Sequence, residues 1–159
     1  MDIRTFHSFG LRVIRAWSED LGFGQTPPAV YARDDARAVL REAARELGLL
    51  VTPEHPSADR RDAWAISISQ LDHAVERYRL QNAREAEAEA TNDDRDVDVL
   101  DASVLAEISA IYERRLESYA AVDYAGMLTL PLRLLEANER ALAMLQDAYR
   151  WIVRCVTLH

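Results

Sequence analysis

Hydrophobic positions recur at helical spacing through most of the chain. Phe9, Val13 and Trp17 fall four apart, and Leu11, Ile14 and Leu21 widen the same face. This pattern predicts an amphipathic helix from about Ser8 to Leu21, ended by the glycines of Gly22-Phe23-Gly24. Thr26-Pro27-Pro28 then holds the backbone extended. The most regular stripe is Ala36, Val39, Leu40, Ala43, Ala44 and Leu47, a second helix with Asp34 or Asp35 as its cap and Gly48 as its stop. Beyond a loop bracketed by Pro53 and Pro56, the stripe Trp64, Ile68, Leu71, Val75 and Tyr78 predicts a third helix from about Asp59.

That apolar face ends at Tyr78. Ala83 to Ala90, AREAEAEA, keeps helix-forming residues with nothing to bury, and the polar Thr91-Asn92-Asp93-Asp94 follows, so residues 83–100 read as a mobile acidic loop. Asp101 caps a helix through Leu105, Ile108, Tyr112, Leu116 and Tyr119. Asp123 starts another, which Pro131 should kink or divide near Leu130 because it lacks a backbone donor. A last helix from about Asn138 presents Leu142, Leu145 and Tyr149. Only Trp151-Ile152-Val153 is β-prone, and it has no strand partner in this reading. The expected fold is an all-α bundle of five or six helices over residues 1–159, a single helical domain with at most one short β-prone segment at its C-terminus.

Composition sharpens this picture in three places. With 159 residues, 49% of them hydrophobic, the chain is long enough for a sizeable core. No apolar run approaches a membrane span of about 20 residues, and the single Cys155 belongs to no disulfide or metal pattern, so no membrane partner and a cytoplasmic location are expected. All basic residues are Arg. Without Lys there is no GxxxxGK[ST] loop, so this chain is not a complete P-loop ATPase and holds no cofactor of its own.

The net charge of −8 is concentrated, because residues 80–101 carry 2 Arg against 8 acidic residues while the flanking parts are nearly neutral. An acidic segment on one face is compatible with a polyanion on another, although no basic stripe is legible. His55, His73 and His159 lack metal-ligand spacing. Asp93, Asp94, Asp96 and Asp98 lack the central Gly and closing Glu of a calcium loop.

The chemistry-bearing stretch is Thr5 to Arg15, TFHSFGLRVIR. Thr5, His7 and Ser8 set two hydroxyls and an imidazole at a helix start, where backbone N–H groups lack intrahelical partners and the dipole is positive. Such a site suits phosphate. Phe6 is placed to stack on a base, whereas Phe9 reads as core. For Thr5 and His7 the plain alternative is a helix cap and a surface imidazole.

This stretch resembles motif Ib of the UvrD/Rep/PcrA-type superfamily 1 DNA helicases, in which Thr-Phe-His-Ser opens a helix against the single-stranded DNA backbone. Asp123 to Leu135, DYAGMLTLPLRLL, followed by Gln146 to Val153, is similar to the family's approach to its Walker B strand. Asp123-Tyr124 matches the acidic-aromatic start of that segment, its plain alternative being an N-cap followed by a packed aromatic. The resemblance implies a segment from motif Ib to just before motif II, mostly the helical subdomain 1B with flanking core-domain pieces. It implies a parent enzyme that uses ATP and Mg²⁺ to move 3′ to 5′ along DNA, with single-stranded DNA and the remaining RecA-like core as partners. Thr5, Phe6, His7 and Ser8 would contact DNA, weakly in this chain alone. Where the family continues with Asp-Glu-x-Gln-Asp, this chain reads Arg154-Cys155-Val156-Thr157-Leu158-His159, so the carboxylates for Mg²⁺ and the attacking water are missing. A frameshift, a cloned boundary and a pseudo-helicase all fit that departure, and a stand-alone helical protein-interaction domain is the alternative function.

Overall fold

The computed structural model describes residues 4–49, 51–52, 66–83 and 100–150. Among them the order is α1 (Phe6–Ala16), β1 (Ala29–Val30), α2 (Arg33–Glu46), β2 (Val51–Thr52), β3 (Ile66–Ser67), α3 (Ile68–Asn82), α4 (Ala102–Ser118), β4 (Ala121–Val122), α5 (Gly126–Ala137) and α6 (Glu139–Ala148). The fold is all-α, as the stripes predict. Its strands are two-residue pieces in two parallel pairs, β1 with β4 and β2 with β3. The β-prone Trp151–Val153 and the acidic stretch 84–99 lie outside the described residues. No described helix is long and apolar enough to cross a membrane.

Local chemistry places the helix ends, in several cases away from the sequence-based boundaries. α1 begins at Phe6 and stops at Ala16, and the chain reaches Leu21 through turns. α2 starts at Arg33 after Ala32, which makes no side-chain cap bond. Asp34 and Asp35 sit instead in its first turn, where carboxylates oppose the positive end of the dipole. Gly48 does end α2: at φ +70° it lets its own N–H reach Arg45 O at 3.1 Å and that of Leu49 reach Ala44 O at 2.9 Å.

α3 begins at Ile68 and not near Asp59. Ser67 accepts from the Gln70 N–H while the Gln70 side chain accepts from the Ser67 N–H, a reciprocal box that fixes the start, and the preceding Ile66 pairs with Val51. Asp59 and Trp64 lie outside the described residues. Asp101 occupies the cap position of α4 but makes no side-chain cap bond there. Asp123 caps the turn that leads into α5: its Oδ1 accepts from the Gly126 N–H and its carbonyl from the Met127 N–H, three residues ahead of the regular helix.

Pro131 neither ends nor divides α5, which runs unbroken from Gly126 to Ala137. Proline here removes one intrahelical bond, the one that would have gone to the Met127 carbonyl. α1 packs on that carbonyl through buried Gly10: a Cβ added there would overlap the Met127 oxygen and lie 3.4 Å from Pro131 Cγ. The carbonyl that Pro131 leaves without its helical donor is thus covered by the backbone of α1.

Three apolar clusters form the interior. α2, α3 and α4 share the largest, centred on Leu40, Ala43, Leu71, Val75, Ile108 and Leu116. Val13, Leu134 and Ala141 join α1, α5 and α6, with Phe9, Trp17 and Leu145 packed against them. Ile14, Val122 and Met127 form the third, next to the β1–β4 pair in which Ala29 faces Ala121 and Val30 faces Val122. The first helix group and the second therefore meet at β4 and the residues that follow it.

Candidate functional site

Thr5 is the cap of α1: its Oγ1 accepts from the Ser8 N–H at 3.2 Å, and Ser8 Oγ donates to the Thr5 carbonyl at 2.9 Å. The cap uses a lone pair of Thr5 and leaves its O–H able to donate, whereas the Ser8 hydroxyl proton is turned onto the backbone. Both residues are exposed, and Phe6 is 65% exposed. Phe9 is half-buried in the α1–α5–α6 cluster, edge-on to Tyr149 with ring centroids 5.3 Å apart, which agrees with its reading as core.

The His7 ring lies against the Tyr124 ring, centroids 4.1 Å apart and planes tilted by 39°. The two stretches singled out in the sequence thus touch in space. Tyr124 is otherwise open, at 62% exposure, so it is not the packed aromatic that the plain alternative required.

Asp123 points the other way, into the protein. Its Oδ1 accepts from the Gly126 N–H at 2.8 Å, satisfying a donor at the start of α5. Its Oδ2 accepts from Arg79 Nη1 at 2.6 Å and from the Tyr112 hydroxyl at 3.0 Å. Arg79, on α3, is 4% exposed and also donates Nε to Glu113 Oε1 at 2.8 Å. Glu113, on α4, is held in turn by both terminal nitrogens of Arg133 on α5, at 2.8 and 3.1 Å. The Arg79 guanidinium also stands 5.3 Å from the centre of the Tyr112 ring.

The electrostatics follow from this arrangement. Burial pushes the Tyr112 phenol well above its usual range, and the Asp123 charge pushes it the same way. Burial favours protonation of Glu113, but the bonds and charges of Arg133 and Arg79 outweigh it and hold the carboxyl below its usual range. Arg79 pays for burial against the charges of Asp123 and Glu113, and the balance keeps it firmly protonated. Arg79, Tyr112 and Glu113 are therefore fixed in charge at neutral pH, which suits a structural joint better than proton transfer.

Beside the joint opens a cleft of about 550 Å³ between the start of α2, the middle of α3 and the β4–α5 connection, with Tyr124 on its edge. The described residues contain no group of three His, Cys, Asp or Glu that could hold a metal ion. Sequence reasoning missed Arg79, Tyr112, Glu113 and Arg133 as a unit. The available signal was Arg79 itself, which continues the apolar register Leu71–Val75 by a further four residues.

These elements define an all-α unit in which a capped helix start meets the exposed Tyr124, while the neighbouring Asp123 is held in a buried charged joint. The chain belongs to the UvrD/REP helicase N-terminal domain family, whose pattern matches residues 1–153. It is similar to ATP-dependent DNA helicase UvrD1 of Mycobacterium leprae (strain TN), with 26% identity over 137 residues. That match covers 86% of this chain and 16% of the helicase, so the chain spans about a sixth of the length of the curated relative it matches.

Proposed function

We propose that this chain is the part of a UvrD-like superfamily 1 helicase lying between motif Ib and motif II, mostly subdomain 1B, and that it contributes backbone contacts to single-stranded DNA. The observation that carries this reading is the ring contact between His7 and Tyr124, which unites the Thr-Phe-His-Ser stretch with the Asp-Tyr pair. The helix start supports a phosphate through unpaired N–H groups, the Thr5 hydroxyl and the His7 edge. Phe6 and Ser8 border that position. ATP and Mg²⁺ belong in this reading to a RecA-like core, because the sequence has no Lys for a Walker A loop.

The net charge of −8 opposes a polyanion, so binding by this chain alone is weak, with Kd about 10⁻⁴ M or weaker at physiological salt. The test is a low-salt titration of labelled oligonucleotide with the wild-type chain and a Thr5→Ala/His7→Ala variant, circular dichroism verifying that both are folded. The variant is expected to bind more weakly whatever the base sequence, with a salt slope lower by about one. Equal binding by the two proteins refutes the assignment of these residues.

A further inference from the structure

The joint accounts for only part of the donor capacity of the Arg79 guanidinium. Nε donates to Glu113 and Nη1 to Asp123, while among the described residues Nη2 meets no acceptor. The side chain is 4% exposed, so bulk water hardly reaches it, and a charged donor buried to that degree requires a partner. Gly126, the first residue of α5, keeps the space beside Nη2 open. A Cβ on Gly126 would stand 3.6 Å from Nη2 and crowd Asp123 Oδ1 at 2.8 Å.

Arg79, Glu113, Asp123 and Gly126 border a pocket of about 20 Å³, whose wall also includes Leu116 and Glu117. Glu117 follows Glu113 by one turn of α4 and is exposed. Among the described residues its carboxylate has no hydrogen-bond or ion-pair partner. An unmatched cationic donor and an unmatched carboxylate thus border one pocket without being bonded to each other. Volume and charge select the occupant. A space of about 10–15 Å³ is enough for one water, so this pocket takes a single water and nothing much larger. The carboxylates of Glu113, Glu117 and Asp123 outnumber the Arg79 cation, which opposes an anion, and a metal cation would lie against the guanidinium. A dry pocket would leave Nη2 without any acceptor.

We propose that this pocket is a binding site for one water molecule, which accepts from Arg79 Nη2 and donates to the Glu117 carboxylate. The water extends the joint beyond Glu113 and ties α3 to the last turn of α4, just before the chain enters β4. The site is independent of the DNA reading, because none of the residues that form it lies on α1.

The experiment combines nuclear magnetic resonance and crystallography on the full chain. Cross-peaks between water and the Gly126 Hα protons, recorded as both nuclear and rotating-frame Overhauser effects, distinguish a bound water from a diffusing one. Wild type and Glu117→Gln, whose amide oxygen still accepts, are expected to show the bound water. Glu117→Ala should lose it, with circular dichroism verifying that all three proteins are folded. A crystal structure of the wild type should place a water oxygen about 2.7–3.2 Å from both Arg79 Nη2 and a Glu117 carboxylate oxygen. An anomalous peak in the pocket after a bromide soak would make the occupant an anion and overturn the proposal. A direct Arg79–Glu117 bond, a pocket without density, or cross-peaks that survive Glu117→Ala would overturn it equally.

Discussion

Removal of the Asp123 carboxylate should destabilise this protein more than any single exposed charge, and the structure gives the size of the effect. Asp123→Ala strips Arg79 of one of its two carboxylate partners and leaves the Tyr112 hydroxyl and the Gly126 N–H without theirs. Breaking a buried pair by deleting one member costs about 3–5 kcal/mol. Arg79 keeps Glu113, which favours the lower end of that range, but each orphaned neutral donor adds about 1–3 kcal/mol before relaxation. Because these losses share one network they do not add fully, and about 4 kcal/mol is the expected total. Domains of this size have roughly 5–15 kcal/mol in hand, so the variant should be folded but fragile.

Asp123→Asn separates charge from shape. Its amide oxygen can still accept from Gly126, while its NH₂ faces the donors of Arg79, so a loss of about 2–3 kcal/mol is expected. Arg133→Ala is the control: that side chain is 47% exposed, and its pair with Glu113 should contribute less than about 1 kcal/mol. Urea denaturation followed by far-UV circular dichroism reads all three. With a slope of about 2 kcal/mol per molar, Asp123→Ala should lower the midpoint by about 2 M. Asp123→Asn within about 0.5 kcal/mol of wild type, or Arg133→Ala costing as much as Asp123→Ala, would refute the view that burial makes this joint matter.

Four further outcomes are expected. Gly10→Ala should destabilise by about 1–3 kcal/mol in the same denaturation assay, since overlap with the Met127 carbonyl outweighs the gain of about 1 kcal/mol in helix propensity. Glu113 titrates lower in the folded protein than in the unfolded chain, so its contribution is present above about pH 4.3 and fades as pH falls through the lower folded value. Tyr112 is shifted upward, so its contribution is complete below about pH 10 and is lost at higher pH; stability curves of Tyr112→Phe should lack that alkaline decline. The purified chain should release no phosphate from ATP with or without single-stranded DNA, and DNA-stimulated release that persists through a contaminant control would contradict the absence of a phosphate-binding Lys.

Periodicity made the helical core legible, and the stripe Ala36 to Ala44 on α2 is buried as its spacing requires. It misplaced the start of α3 because Trp64 extends the stripe upstream, whereas the local sign of that start was the Ser67–Gln70 pair. The two-residue strands were not legible, since such a piece is defined by a partner far away in the chain. Pro131 does not divide α5, because the rule that proline ends helices is local and the packing of Gly10 on α5 is not. At the candidate site, Thr5 as a cap could be read from its residue type and position. The contact of His7 with Tyr124 and the burial of Asp123 against Arg79 depend on partners that no local pattern specifies.

The carboxylate of Asp123 links the two helix groups, beside the Arg133–Glu113 pair and the β1–β4 strands. Apolar burial within each helix group is non-directional and tolerates small rotations, and the β1–β4 pair is only two residues long, so neither fixes the angle between the groups closely. Asp123 does so with direction: Oδ1 holds the start of α5, and Oδ2 holds Arg79 on α3 and Tyr112 on α4. Tyr124 is the next residue, and its side chain leaves the backbone on the opposite side, toward His7 and the cleft edge. The orientation of the exposed ring is therefore inherited from the buried carboxylate one peptide bond away. The Arg79–Asp123 bond and the close seat of Gly10 on the Met127 carbonyl act together, the first directing the residues before α5 toward α3 and the second holding α1 against α5.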